Sequence, residues 1–364
     1  MKTHKRLYSK LCSYDNLFLA YRKARKGKSK KDSVREFDKD LEENLRLLQK
    51  ELKTFSYNPL PLKRFIVRDP KTRIIHASAF RDRIVHHALI NLLEPIYEKI
   101  FIYDSYASRK KKGTHNALLR FNEFKRKVSQ NGLVIKKLSY GRNSIQGYCL
   151  KSDIKHYFDC VDHETLIKIL KRKINDNEII WLVEKILKNL DTAVYGKGMP
   201  LGNFTSQFFA NVYLNELDYY VKHTLKAKYY IRYVDDFVIL HRSKKRLNYF
   251  QKEITKFLET IKLELHPEKT KIIPLQKGVT FLGYRVFYHY RLLRKRNLKY
   301  FIRRYKVKLN KTKEGQISKK ELLEHLHGWF GYAKWANTYK IRKNLVEEIK
   351  EKLNLSDEEL KQFL

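Results

Sequence analysis

Apolar positions recur along this chain first at helical spacing and later in short unbroken runs. Phe37, Leu41, Leu45, Leu48 and Leu52 fall on one face with charges between them. They predict a helix with one buried side, ended by Pro59 and Pro61. The basic residues 1–34 before it read as a helix followed by a flexible loop. Residues 62–76 read as two strands around an Asp69-Pro70 turn. From Arg81, the residues Ile84, Val85, Ala88, Leu89, Leu92, Leu93 and Ile96 form a broad apolar helical face, which is core. Further helices are predicted over 176–190, from Thr205 onward, and over 245–262. Residues 128–147 are polar, carry Gly132, Gly141 and Gly147, and read as a loop or short hairpin. A short strand over 148–153 then leads through a turn into a helix at about Asp162. Residues 266–271 form a turn entering a strand, and 279–286 a strand or hairpin.

The stretch Tyr230 to Leu240 stands apart. Apolar and aromatic residues flank Asp235 and Asp236, and no Gly or Pro interrupts them. This predicts a β-hairpin with the Asp pair at its tight turn. An Asx turn joining two strands is the plain reading of such a pair. Paired carboxylates at the tip of an apolar hairpin also suit a hard divalent cation. Asp153, at the end of the 148–153 strand, is a natural third ligand, or else a strand-end cap.

Charge alters the weighting. The chain has 79 Lys and Arg against 39 Asp and Glu, a net charge of +40, with 25 Tyr and 20 Phe. A field of that size draws polyanions, and bases stack on aromatic rings. Nucleic acid is therefore the first partner to consider, ahead of a merely solvated lysine-rich surface. No apolar run is long enough to span a bilayer, no signal core follows Met1, and no basic amphipathic helix stands out as a membrane anchor. Cys12, Cys149 and Cys160 fit neither a zinc spacing nor a disulfide framework. A reduced, cytoplasmic protein without a membrane role is expected.

Other basic clusters fit the same partner. A turn carrying Arg68, Lys71 and Arg73 is able to close over a triphosphate, because the arginine fork gives parallel charge-assisted hydrogen bonds. An exposed hairpin with solvated charges is its plain alternative. Tyr103 to His115 is a basic loop opening onto a helix, a good phosphate contact. Residues 291–313 interleave Lys and Arg with Tyr300, Phe301 and Tyr305 on an expected helix that suits a duplex backbone. The tryptophans of the 327–336 segment read as core rather than as base platforms.

Asp153-Ile154, then Gly202 to Ser206, then Tyr233-Val234-Asp235-Asp236, Lys269 and Phe281-Leu282-Gly283 occur in order and at fitting distances. In this series the chain resembles a reverse transcriptase, over about residues 55 to 290. The resemblance implies an α+β right-hand polymerase, with an N-terminal extension and fingers over 1–150, a palm over 151–290 built on an antiparallel sheet with helices on one side, and a helical thumb over 291–364. It implies RNA-directed DNA synthesis by two-metal nucleotidyl transfer, with Mg²⁺ as the ion and Mn²⁺ as an alternative. RNA template, DNA or RNA primer and dNTPs are the implied partners. Asp153 and Asp235 correspond to the metal-ligating aspartates, with Asp236 the third acid and Ile154 beside Asp153 in the metal site. Phe158 corresponds to the aromatic steric gate against a ribose 2′-hydroxyl. Arg73 corresponds to the arginine on the incoming triphosphate, with Arg68 and Lys71 as weaker candidates. Leu201, Gly202 and Gln207 border the nucleotide, and Lys269 corresponds to the lysine proposed to protonate pyrophosphate. Phe281, Leu282 and Gly283 look like the primer grip, with Tyr233 also on the primer-template side.

One departure narrows the resemblance. Most reverse transcriptases carry Gln-Gly and then Ser-Pro around the Gly loop; here the run is Leu201-Gly202-Asn203-Phe204-Thr205-Ser206-Gln207. An apolar residue first and Gln last resembles the enzymes of diversity-generating retroelements. That subfamily copies a template-repeat RNA with frequent errors opposite adenine, and works with a small basic accessory protein. Leu201 offers no polar contact to position an incoming nucleotide, which narrows the gap between correct pairs and mismatches. A group II intron-like or phage-defence enzyme is the second reading. The 196–207 loop, and an end at Leu364 without an endonuclease segment, weigh against the intron type. A catalytically idle RNA-binding maturase-like module would explain the charge but not three carboxylates facing an anionic ligand.

Overall fold

The apolar periodicity of the first fifty residues becomes four helices in the computed structural model, which describes residues 3–68, 72–136, 143–190 and 194–356. They are Tyr8–Leu11, Tyr14–Arg25, Asp32–Lys39 and Leu41–Lys53. The single stripe expected from Phe37 to Leu52 is thus two helices. Asp40 stands between them at φ −119° and ψ 48°, outside helical geometry. The second helix stops at Lys53, well before the prolines. Thr54 closes its last turn by donating to the Lys50 and Glu51 carbonyls, and Phe55 turns into the left-handed region at φ 58°. Leu45, Leu48 and Leu52 are buried as the spacing requires, each stabilising by about 1.5–3 kcal/mol.

The chain divides into two compact units. The first comprises Met1–Gly113, Lys151–Ile239 and Asn248–Lys271. Within it, helix Tyr14–Arg25 packs on helix Phe80–Tyr97, which packs on helix Phe204–Tyr219; the last also packs on helix His163–Lys171. Phe204–Tyr219 is buried on nearly every face, from Thr205 through Phe209, Val212, Tyr213 and Leu217 to Asp218. The two strands expected over 62–76 are present. Strands Lys63–Val67 and Arg73–Ala77 pair antiparallel with Phe65 opposite Ile75 and Val67 opposite Arg73. Asp69, Pro70 and Lys71, the expected turn and one candidate nucleotide contact, lie outside the described residues.

The second unit comprises Thr114–Leu150, Leu240–Leu247 and Ile272–Leu364. Its helices Lys295–Lys313, Lys319–Ala333 and Tyr339–Leu353 enclose a core of Phe301, Tyr305, Leu326, Phe330, Val346 and Ile349. Trp329 stacks on Phe301 at 3.8 Å between ring centroids and packs against this core, the role expected of it. The basic helix begins only at Lys295, because Arg291–Leu293 is a strand. That strand joins a three-stranded antiparallel sheet with Tyr284–Val286 and Val279–Phe281. The polar segment after Val128 forms a small antiparallel pair, Val134–Lys136 with Asn143–Ile145. Lys125, nearly fully buried on helix Thr114–Val128, donates to the Phe287 and Tyr288 carbonyls.

The remaining sheet has four strands in the order Tyr229–Tyr233, Asp236–His241, Tyr148–Asp153 and Lys271–Pro274. Among the described residues no helix is long and apolar enough to cross a membrane. Among the described residues, Cys12, Cys149 and Cys160 form no disulfide.

Candidate active site

Strand order brings the acidic residues together. Tyr148–Asp153 lies next to the second strand of the hairpin, so its last residue arrives beside the hairpin turn. The Ile154 amide donates to the Asp235 carbonyl at 3.3 Å. The hairpin strands are Tyr229–Tyr233 and Asp236–His241, and their central residues are buried. The turn itself is Val234-Asp235, so only the first Asp of the pair occupies it and Asp236 opens the next strand. Val234 sits at φ 55°, a conformation that costs a β-branched residue free energy and persists only when its surroundings impose it.

Electrostatics mark the same point. The Asp235 carboxyl is pushed up to about 6, first by burial and then by the neighbouring charges of Asp153 and Asp236, with Lys269 acting against them. Lysines already answer the other two acids. Lys269 Nζ lies 2.7 Å from Asp153 Oδ1, and Lys151 Nζ lies 3.8 Å from Asp236 Oδ1. The His266 amide donates to the Asp153 carbonyl at 2.7 Å, which fixes the loop bearing Lys269 against the strand end.

A desolvated carboxylate repelled by two others is an unfavourable arrangement that a divalent cation would relieve. Among the described residues no three or more His, Cys, Asp or Glu side chains are gathered into a ready-made metal cage. Mg²⁺ fits this donor set nonetheless. It binds through one or two carboxylates and completes its shell with water and substrate phosphate oxygens. Asp153 and Asp235 are the residues that would hold it.

The Gly loop is fastened to the 73–77 strand through main-chain atoms. The His76 amide donates to the Leu201 carbonyl at 2.9 Å. Gly202 adopts φ 114°, and a Cβ there would lie 2.7 Å from Ile75 Cγ2. Only glycine allows that approach. Asn203, at the N-cap of helix Phe204–Tyr219, turns its Oδ1 to the Ser78 hydroxyl at 2.8 Å and to the Ser78 amide. Arg73 is exposed on the strand so fastened, and Arg68 is exposed just beyond the paired part of the other strand. Gln207 accepts from the Ser108 hydroxyl at 3.0 Å. Phe158 is half-buried, edge-on to the fully buried Tyr157, and its carbonyl accepts from the Met199 amide at 2.7 Å. Tyr233 is half-buried at the end of its strand.

Phe281, Leu282 and Gly283 belong to the second unit. Phe281 is fully buried and lies 5.5 Å from the Phe121 ring. Leu282 and Gly283, at φ 47° and 90°, make the two-residue turn between strands, the mirror-image type that matches strand twist. The Gly283 carbonyl accepts from the Tyr332 hydroxyl at 2.9 Å.

The family model described as reverse transcriptase (RNA-dependent DNA polymerase) matches residues 67–286, which include the acidic residues, the Gly loop and Phe281 to Gly283. The chain belongs to the reverse transcriptase family. With the family comes the right-hand polymerase fold, of the α+β class. Among similar proteins, YkfC of Escherichia coli K12 is 30% identical over 293 residues, covering 70% of this chain and 72% of that one. The group II intron-encoded protein LtrA of Lactococcus lactis subsp. cremoris is 27% identical over 353 residues, covering 77% of this chain. This reverse transcriptase spans 56% of LtrA's length. A solved structure of Candida albicans telomerase with a fragment of telomeric RNA aligns over 87% of this chain and 67% of its own, at 11% identity and a TM-score of 0.47.

The reverse transcriptase also carries a buried polar group behind the hairpin that sequence reasoning passed over. Arg232 and Asp218 are both fully buried and form a bidentate pair, Nε to Oδ1 at 2.7 Å and Nη2 to Oδ2 at 2.6 Å. The Tyr230 hydroxyl donates to the same carboxylate at 2.7 Å. Burial works against the Arg232 charge, and Asp218 more than restores it, raising its pKa above the ordinary arginine value. Removing one partner of such a pair costs about 3–5 kcal/mol. The available signal was two opposite charges on otherwise apolar faces, one in a strand and one in a helix.

Proposed function

We propose that the chain is an RNA-directed DNA polymerase that joins a dNTP to a primer 3′-hydroxyl at Asp153 and Asp235. The observation that carries this reading is the crowding of Asp235 by Asp153 and Asp236 in a partly dry site. Bound Mg²⁺ would supply activation of the hydroxyl and neutralisation of triphosphate charge. The chain's own residues hold and orient the reactants. Asp153 presents its oxygens from a strand end and Asp235 from the hairpin turn beside it. Arg73 and Arg68 offer exposed guanidinium groups for the triphosphate, with Lys71 as a further candidate. Phe158 blocks a 2′-hydroxyl, and Lys269, held on Asp153 in the free protein, turns to the leaving pyrophosphate once the carboxylate is otherwise engaged. Phe281 to Gly283 and Tyr233 support the primer end, and fingers, palm and thumb fall near 1–150, 151–290 and 291–364.

The finer reading is a diversity-generating retroelement enzyme, error-prone opposite template adenine and served by a basic accessory protein. It is supported by the run Leu201 to Gln207. A group II-like enzyme is the second reading, supported by similarity to an intron-encoded protein. Primer extension on an RNA template with Mg²⁺, with product sequencing and with Asp235→Ala alongside, tests both. Extension lost in the variant supports the polymerase. Errors concentrated at adenines support the retroelement, and accurate copying supports the group II-like enzyme. Extension that survives Asp235→Ala refutes the site.

A further inference from the structure

The geometry points to Arg232 as the positioning residue for the hairpin turn that presents Asp235. This inference rests on the reading of Asp235 as a metal ligand. Arg232 is immobilised twice over. Its amide donates to the Asp104 carbonyl at 3.0 Å, and its carbonyl accepts from the Tyr106 amide at 3.0 Å. Its guanidinium is locked on Asp218 by two short bonds. The remaining edge of the fork does separate work. Nη1 donates to Asn211 Oδ1 at 3.1 Å and to the Val234 carbonyl at 3.2 Å. Asn211 is itself fixed, donating to the Ala107 carbonyl at 2.9 Å.

The Val234 carbonyl belongs to the peptide unit that leads into Asp235. Holding that oxygen sets the plane from which the Asp235 carboxylate projects. It also explains how Val234 stays at φ 55°, where a branched side chain needs outside restraint. Asp218 and Asn211 both stand on helix Phe204–Tyr219, whose first turn follows the Leu201-Gly202 loop. One rigid, buried element thus bears on the loop at its start and on the metal hairpin through Arg232. Only an arginine does this, because a planar fork with five donors grips the carboxylate and the turn at once. A lysine would keep the charge against Asp218 but lose the fork.

The test uses the full chain carrying Arg232→Lys, with Asp218→Glu as a second variant that keeps the pair but displaces the fork. Melting temperature and template-primer affinity report the fold. The kcat and KM for dNTP, and Mn²⁺ binding followed by electron paramagnetic resonance, report the site. The expected result is a folded variant that binds template-primer within about twofold of wild type. Its kcat falls about 10- to 100-fold with KM little changed, and Mn²⁺ binds about 10-fold more weakly. Unchanged kcat and Mn²⁺ affinity in a folded variant would overturn the assignment. So would a loss of template-primer binding in step with activity, or failure of both variants to fold, since the pair would then be a structural pin. Asp235→Ala separates the two readings. Extension surviving there removes Asp235 from the site and the positioning role with it, whereas an inert Asp235→Ala beside a normal Arg232→Lys removes only the positioning role.

Discussion

Replacing Asp235 by Asn should abolish polymerisation and, in the absence of metal, make the protein more stable. The carboxyl is raised to about 6 by burial and by Asp153 and Asp236, against an unperturbed value of about 3.9. Between those two values the folded state binds more protons than the unfolded chain, so stability falls as pH rises through this window. Below about pH 4 both states are protonated and the penalty is absent; above about pH 6 it is present in full. A difference of about 2 units corresponds to about 3 kcal/mol at most, and solvent reaching the turn reduces it to roughly 1–3. An Asn side chain carries no charge to desolvate or repel. With EDTA at pH 7.5, Asp235→Asn should therefore melt several degrees above wild type. The gap should close as pH approaches 4, and Mg²⁺ should stabilise wild type more than the variant. Urea or thermal unfolding across pH 4 to 8, with and without Mg²⁺, reads all three. A variant no more stable than wild type at pH 7.5, or a gap that ignores pH, would refute the reasoning.

Other substitutions probe neighbouring parts. Gly202→Ala forces a Cβ to within 2.7 Å of Ile75 Cγ2 at φ 114°, so it should cost about 2–4 kcal/mol in urea unfolding and raise KM for dNTP. Ile75→Ala in the same chain should recover part of that loss. Phe158→Ala should admit ribonucleotides, lowering the ratio of dNTP to rNTP kcat/KM by about tenfold or more in single-nucleotide extension. Leu201→Gln should reduce misincorporation opposite template adenine, and an unchanged error spectrum would sink that account. Tyr332→Phe removes the hydroxyl that donates to Gly283 and should cost about 1 kcal/mol in denaturant unfolding.

The sequence carried the local features with a short physical cause. A strand ending at Asp153, a hairpin around Asp235 and a glycine-dependent loop at Gly202 all follow from residue types a few positions apart. Features set by long-range packing were less legible. The stripe from Phe37 to Leu52 reads as one helix because apolar spacing continues through Asp40, and nothing local announces a break there. The helix end at Lys53 is set by Thr54 and Phe55 rather than by the more conspicuous prolines. Arg232 was hidden for another reason. An arginine between apolar strand residues reads as a solvent-facing side chain, and its partner Asp218 lies 14 positions earlier in a different element.

The bond from the His76 amide to the Leu201 carbonyl joins loop and strand without using a side chain. The anchoring at position 201 is therefore indifferent to which amino acid stands there. The main chain maintains this part of the scaffold, so substitution at Leu201 should leave folding intact. Gly202 next door has no such latitude, since its own backbone angle and its contact with Ile75 exclude other residues. Substitution is therefore expected to be tolerated at the first position of this pair and refused at the second.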